Sequence, residues 1–225
     1  SLTHSMDSSS SSSSSSSSVT GGVVLCIGQS AILTGQQIKK IHKHTDIFPH
    51  KLTPLLVYID DFGISDDSVR KNDYCYRYEK RCSTYFEGYN YGINSTIVEY
   101  IMSVVEACDI DSCHSVTLLY SAEEGLGTGL TAFLVQCFAI NMPSVVILTV
   151  GILPHLSQGG LPAINTCMVV DVCLSYASCS MLRCMDDTTH LLSSRKVTKS
   201  GPRSSVFEDV ACTHAADILL AIREV

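Results

Sequence analysis

The sequence predicts an α/β fold, a Rossmann-like parallel sheet with helices on both faces. Three observations carry that expectation. Short apolar runs, among them Val23 to Ile27, Leu55 to Ile59 and Val116 to Tyr120, alternate along the chain with stretches of helical spacing. The runs are almost continuously apolar, as expected of strands covered on both sides of a parallel sheet. Glycines or acids follow them at once: Gly28 after the first, Asp60 after the second, and SAEEGLGTGL (121–130) after the third. Ligands of such sheets bind beyond the carboxyl ends of the strands.

Residues 1–22 are expected to be a disordered Ser-rich tail. Ser8 to Ser18 is an unbroken serine run that buries nothing and cannot offset its ordering entropy. Residues 23–225 are enough for one domain. Val23 to Ile27 reads as a first strand turning at Gly28, and Gln36 to Lys43 as a helix. Leu55 to Ile59 is a second strand, closed by Asp60, Asp61, Asp66 and Asp67. The tyrosine-rich stretch that follows (Tyr74, Tyr76, Tyr78, Tyr85, Tyr89, Tyr91) is expected to be irregular.

Asn94 to Cys108 places Ile97, Val98, Ile101, Val104 and Val105 at the 3, 4 and 7 spacing of an amphipathic helix. Asn94-Ser95-Thr96 reads as its cap. Ser115 to Tyr120 is a third strand, Thr131 to Ile140 a helix, and Val145 to Val150 a fourth strand. Gly151, Pro154, Gly159, Gly160 and Pro162 make residues 151–162 a loop. A helix near Asn165 to Leu174, a short strand near Met181 to Met185 and a closing helix from Val206 to Ile222 complete the prediction.

Composition excludes several classes of function. The net charge is −7 and no basic stripe exists to release counterions, so no nucleic acid is expected as a partner. Hydrophobic residues make up 45%, yet no apolar run approaches the ~18 residues that span a membrane. The eleven cysteines are odd in number. Cys108 with Cys113, Cys173 with Cys179, and Cys179 with Cys184 all miss the paired spacing of a zinc site, so they read as small buried hydrophobes in a reducing cytosol. His42 and His44 lie two apart, on different faces of a helix. No lysine follows Gly127-Thr128-Gly129 as a Walker loop requires, and no nucleophile elbow surrounds Ser121. Nothing orients Cys212 and His214 as a nucleophile pair.

Four stretches, in order, resemble the nucleotide-binding domain of tubulins. Ile27-Gly28-Gln29-Ser30, with Gly35, is similar to the first tubulin loop GQCGNQIG. Ile59-Asp60 followed by Asp67-Ser68-Val69-Arg70 is similar to VDLEPGTMDSVR without a gap. Tyr85-Phe86-Glu87-Gly88-Tyr89 resembles the WAxGH segment, and SAEEGLGTGL lies over the signature SLGGGTGSGL. Weaker likenesses follow: Pro162 with Asn165 to EPYN, Cys184-Met185-Asp186-Asp187 to CIDNE, and Phe207 to Ala211 to YGDLN. The resemblance covers about residues 23 to 222, and GTGLTAFLVQ looks most like delta-type tubulins.

The resemblance implies a tubulin-type GTPase domain binding GTP or GDP with magnesium. Its nucleotide-binding residues would be Gly28, Gln29, Ser30, Asp60, Gly88, Ser121, Gly125, Gly127, Thr128, Gly129, Asp187 and Phe207, with Asp60 nearest the metal. The chain departs from the pattern at several of the decisive places. Glu123 and Glu124 replace two signature glycines. Phe62 stands where tubulins carry a glutamate near the cation, although Asp61, Asp66 and Asp67 are near in sequence. Asp187 and Ala211 replace the two asparagines that read guanine, while Phe207 keeps an aromatic platform.

A carboxylate about 5 Å from a phosphate charge costs on the order of 3 kcal/mol at an effective dielectric near 20, roughly a hundredfold in affinity. Glutamates ahead of a helix also satisfy its dipole without any ligand. Nucleotide binding is therefore expected to be weak or absent and GTPase activity weak or lost, with no catalytic residue assigned. Tubulin hydrolysis is completed by an acid from a neighbouring subunit's second domain. The resemblance places Val225 at the core helix leading to that domain, so a second domain is not expected within these residues.

The resulting expectation is a divergent tubulin-like structural or interaction protein with a degenerate nucleotide site. Its partners would be tubulins or proteins of microtubules, centrioles and cilia, in the cytoplasm and cytoskeleton. Two alternatives stay open. One is a GTP-binding delta-like relative retaining nucleotide through Gly125 to Gly129 in a shifted register. The other is an unrelated metal-dependent α/β enzyme.

Overall fold

The computed structural model describes residues 22–44, 55–60, 74–77, 81–107, 115–154, 159–184, 213 and 215. Six strands form one sheet among these residues: β1 (Val23–Ile27), β2 (Leu55–Asp60), β3 (Tyr74–Arg77), β4 (Ser115–Ser121), β5 (Val146–Leu153) and β6 (Cys179–Cys184). Their order is β3-β2-β1-β4-β5-β6, and every neighbouring pair is parallel. Strand β1 lies mid-sheet; from it the sheet builds outward to β3, then β4 pairs with the other side of β1 and the sheet builds outward the other way. The order therefore reverses between β1 and β4, where Ile27 pairs with Tyr120. An open α/β sheet forms its ligand crevice at such a reversal.

Alternation along the strands splits the core in two. Val23, Leu25 and Ile27 with Val116, Leu118 and Tyr120 face one side. There they meet α2 (Tyr85–Asn94), α3 (Ile97–Ala107), α4 (Thr131–Asn141) and α5 (Gly160–Tyr176), through residues such as Tyr85, Ile101, Phe138 and Val169. Val24, Cys26, Leu119, Val150 and Ile152 face the other side, against Ala31, Ile32 and Ile38 of α1 (Gln29–His44) and against Ala215. Strands β1, β4 and β5 are buried along almost their whole length, which is why they read as near-continuous apolar runs.

Several elements differ from the expectation. Helix α1 starts at Gln29, not Gln36, because Gly28 at φ +87° turns the chain directly out of β1. The tyrosine-rich stretch is not irregular: it supplies β3 and α2. A capping box starts α2, in which the Thr84 hydroxyl accepts from the Glu87 amide while the Glu87 carboxylate accepts from the Thr84 amide at 3.0 Å.

Residues 151–153 continue β5 instead of forming a loop. Gly151 serves packing there, since a methyl group on it would lie 2.5 Å from the Tyr120 hydroxyl. Residues 160–162 open α5, with Pro162 in the first turn where a missing N–H is tolerated. Asn94 closes α2 and Ser95 performs the capping of α3, accepting from the Ile97 amide at 3.4 Å. Gly22, assigned to the tail by composition, is buried against Ser115. The rest of that tail lies outside the described residues, as does the closing helix apart from the helical Thr213 and Ala215.

Candidate functional site

At the reversal point the carboxyl ends of β1 and β4 meet the first turn of α1. Gly28 leaves β1 with its amide donating to Ile59 O at 2.9 Å. Its positive φ points the first amides of α1 across to β4, where Ser121 ends the strand fully buried. The Ser121 hydroxyl accepts from the Ala31 amide at 3.2 Å and donates to the Ser30 hydroxyl at 3.1 Å. Ser30 in turn donates to the Glu123 carboxylate at 2.8 Å, and the Gln29 amide donates to Glu124 Oε2 at 3.4 Å.

Two carboxylates from the β4 loop thus stand at the amino end of α1. An isolated helix leaves its first N–H groups without partners and carries a partial positive charge there, so anions are favoured at that end. The glutamates were expected to satisfy the dipole of the helix that follows them; their carboxylates instead bond to the first turn of α1, which leaves the neighbouring strand β1. The Glu124 and Ser121 side chains also fill the space beside Gly28, where a methyl group would come within 2.7 Å of Glu124 Oε2 and 2.9 Å of Ser121 Oγ.

The GLGTG glycines serve a different contact. Leu126–Leu130 form a single π-helical turn leading into α4, and the whole turn is buried. A methyl group on Gly125 would lie 2.3 Å from Thr84 O, on Gly127 2.1 Å from Ser121 O, and on Gly129 2.0 Å from Tyr85 O. Gly88 of α2 faces them, its added methyl falling 2.0 Å from Gly125 O. The Gly125 amide donates to Cys82 O at 3.1 Å, and the Thr128 hydroxyl to Glu124 O at 2.9 Å. Each glycine lets two backbones of this chain touch.

Helix α5 locks the arrangement from the far side. Asn165, buried, accepts from the Tyr85 amide at 2.8 Å and donates to Ser83 O at 3.1 Å. Thr166 donates to Ala122 O at 3.0 Å. Sequence reading missed both roles, because their partners lie 80 and 44 positions away; the cap of α2 did leave a local signal, Thr84 followed three residues later by Glu87.

Burial pushes the Tyr85 hydroxyl up to about 12, with Tyr89, Cys173 and Asp171 adding to the shift. Burial likewise raises the Tyr120 hydroxyl and the Cys173 thiol, which are hydrogen-bonded to one another. Thr149 and Ser180 also hydrogen-bond Cys173 and oppose part of its shift, and their hydroxyls bond each other.

The structure therefore brings together Gly28, Gln29, Ser30 and Ser121, and packs Gly88, Gly125, Gly127, Thr128 and Gly129 in the adjoining joint. Asp60 ends β2 in register with Arg77 of β3. Asp61, Asp66, Asp67, Asp187, Phe207, Cys212 and His214 lie outside the described residues. Among the described residues no three His, Cys, Asp or Glu side chains gather in a way that would hold a metal, and no helix is long and apolar enough to cross a membrane.

A nucleotide phosphate held here would require outward-facing donors. The Gln29 amide and the Ser30 hydroxyl instead donate to the chain's own carboxylates, so the residues do not fit that group as arranged. Compared with models of known protein families and with curated protein sequences, the chain matches none.

Proposed function

We propose that this chain is a divergent tubulin-like domain with a degenerate nucleotide site, acting as a structural or interaction protein of microtubule-based structures. The observation that most supports this reading is the use of the GLGTG glycines. They bring the π-helical turn into backbone contact with α2 and β4, where a nucleotide-binding loop would keep them for approach to phosphate. A loop committed to internal packing is a joint of the scaffold. This also weighs against retention of GTP through Gly125 to Gly129 in a shifted register, since Gly125, Gly127 and Gly129 all abut protein backbone.

Two measurements test the reading. Guanine nucleotide released from the purified chain is expected at far below one equivalent, and a stoichiometric amount of GTP or GDP contradicts the degenerate site. The chain is expected to co-sediment with microtubules or bind tubulin dimers. Absence of both interactions refutes the partner class.

A further inference from the structure

We infer that the β1–α1 junction is closed by the chain's own carboxylates, which stand in for a phosphate structurally and keep one out. This rests on the degenerate-site half of the proposed function and is independent of its partner half. Two features of the same corner carry it. Three donors at the amino end of α1 are engaged from within: the Gln29 amide by Glu124, the Ser30 hydroxyl by Glu123, and the Ala31 amide by Ser121. The space next to Gly28, at φ +87°, is filled by Glu124 and Ser121, to within 2.7 Å and 2.9 Å of where a side chain would begin.

A phosphate arriving at α1 would have to displace Glu124 from the Gln29 amide while standing beside Glu123. Its negative charge would replace one anion and face another. Glu124 is also tied through its own backbone, because its carbonyl accepts from the Thr128 amide at 3.0 Å and from the Thr128 hydroxyl at 2.9 Å. The carboxylate is therefore delivered by the buried joint rather than by a free loop. In a phosphate-binding domain the ligand supplies the anion at this helix terminus; here the anion is covalently part of the fold.

The test compares the wild-type chain with Glu124→Gln and with Glu99→Gln, an exposed carboxylate on α3, as control. Thermal midpoints are recorded alone, with inorganic phosphate, and with GTP and magnesium. The wild-type midpoint is expected to be unmoved by either probe, since a ligand without affinity for the native state cannot shift it. Glu124→Gln is expected to lower the midpoint by about 2–6 °C, and Glu99→Gln to leave it within about 1 °C. A rise of the wild-type midpoint with GTP and magnesium, or an unchanged midpoint in Glu124→Gln, overturns the inference.

If Glu124→Gln does not fold, amide exchange of Gln29 and Ala31 in the wild-type chain decides the matter. Protection unchanged by GTP and magnesium supports internal closure, and added protection refutes it. Microtubule co-sedimentation is run separately, so loss of the partner reading leaves this result intact.

Discussion

Replacing Gly129 by alanine tests whether the glycine-rich turn is a packing joint. The added methyl group would lie 2.0 Å from Tyr85 O and 2.4 Å from Tyr89 N, both backbone atoms of α2. To regain even 3.0 Å from the carbonyl, α2 must retreat by about 1 Å, and a helix moves as a unit because its own hydrogen bonds are stiff. That retreat also pulls on the Tyr85 amide bond to Asn165 and on the Thr84–Gly125 contact.

Overpacking in a filled core costs about 1–3 kcal/mol, and with backbone on the receiving side the upper end applies. Alanine returns about 1 kcal/mol of helix propensity against glycine. A net loss of about 2 kcal/mol lowers the melting midpoint of a domain this size by about 4–8 °C. Gly160→Ala is the matched control, because a methyl group there meets nothing within 4 Å; its midpoint should stay level or rise slightly. Thermal denaturation followed by circular dichroism reads both. A Gly129→Ala midpoint within about 1 °C of wild type refutes the packing argument.

Asn165→Leu strips the Tyr85 amide of its buried acceptor and should cost about 1–3 kcal/mol, seen as a lower urea midpoint with an unchanged slope. Thr84→Ala removes the cap of α2 and should cost about 1 kcal/mol by the same assay. Because burial raises the Tyr85 hydroxyl from 10.0 to about 12, the folded state holds its proton where the unfolded chain releases it. The stability it contributes is complete below pH 10.0 and is lost as pH rises toward about 12; Tyr85→Phe should flatten the melting midpoint across that window. Cys173, buried with its thiol raised by burial, should resist alkylation at neutral pH until the chain unfolds, while the exposed Cys167 and Cys179 react first in peptide mapping.

The central strands β1 and β4 were legible in the sequence because a strand buried on both sides of a parallel sheet leaves a signal in each residue. Val23–Ile27 was placed to the residue and Leu55–Asp60 and Ser115–Ser121 to within one. Where sequence reading erred, glycine was usually the cause. Gly151 looked like a loop residue, yet it is missing a side chain because Tyr120 occupies that space from the neighbouring strand, a contact invisible in a linear string. Tyr74 to Arg77 and Tyr85 to Asn94 looked irregular because neither shows a clean apolar period, and their order comes from pairing with β2 and from the Thr84–Glu87 cap.

The candidate site was half legible. The place of SAEEGLGTGL, starting at the last residue of β4 and leading into the next helix, followed from the strand pattern. What the glycines and glutamates touch did not, because each partner is distant in sequence. Glu124 meets Gln29 across 95 positions, and Ser30 meets Glu123 across 93. The loop's short-range signal, glycines before a helix, is the same whether the backbone approaches a phosphate or another backbone.

The most direct test of the account is an experimental structure of the chain determined in the presence of excess GTP and magnesium. The Glu124 carboxylate is expected on the Gln29 amide and the Glu123 carboxylate on the Ser30 hydroxyl, with no phosphate between α1 and the end of β4. A phosphate within hydrogen-bonding distance of the Gln29 amide and the Ser121 hydroxyl, with Glu124 turned away, would contradict it.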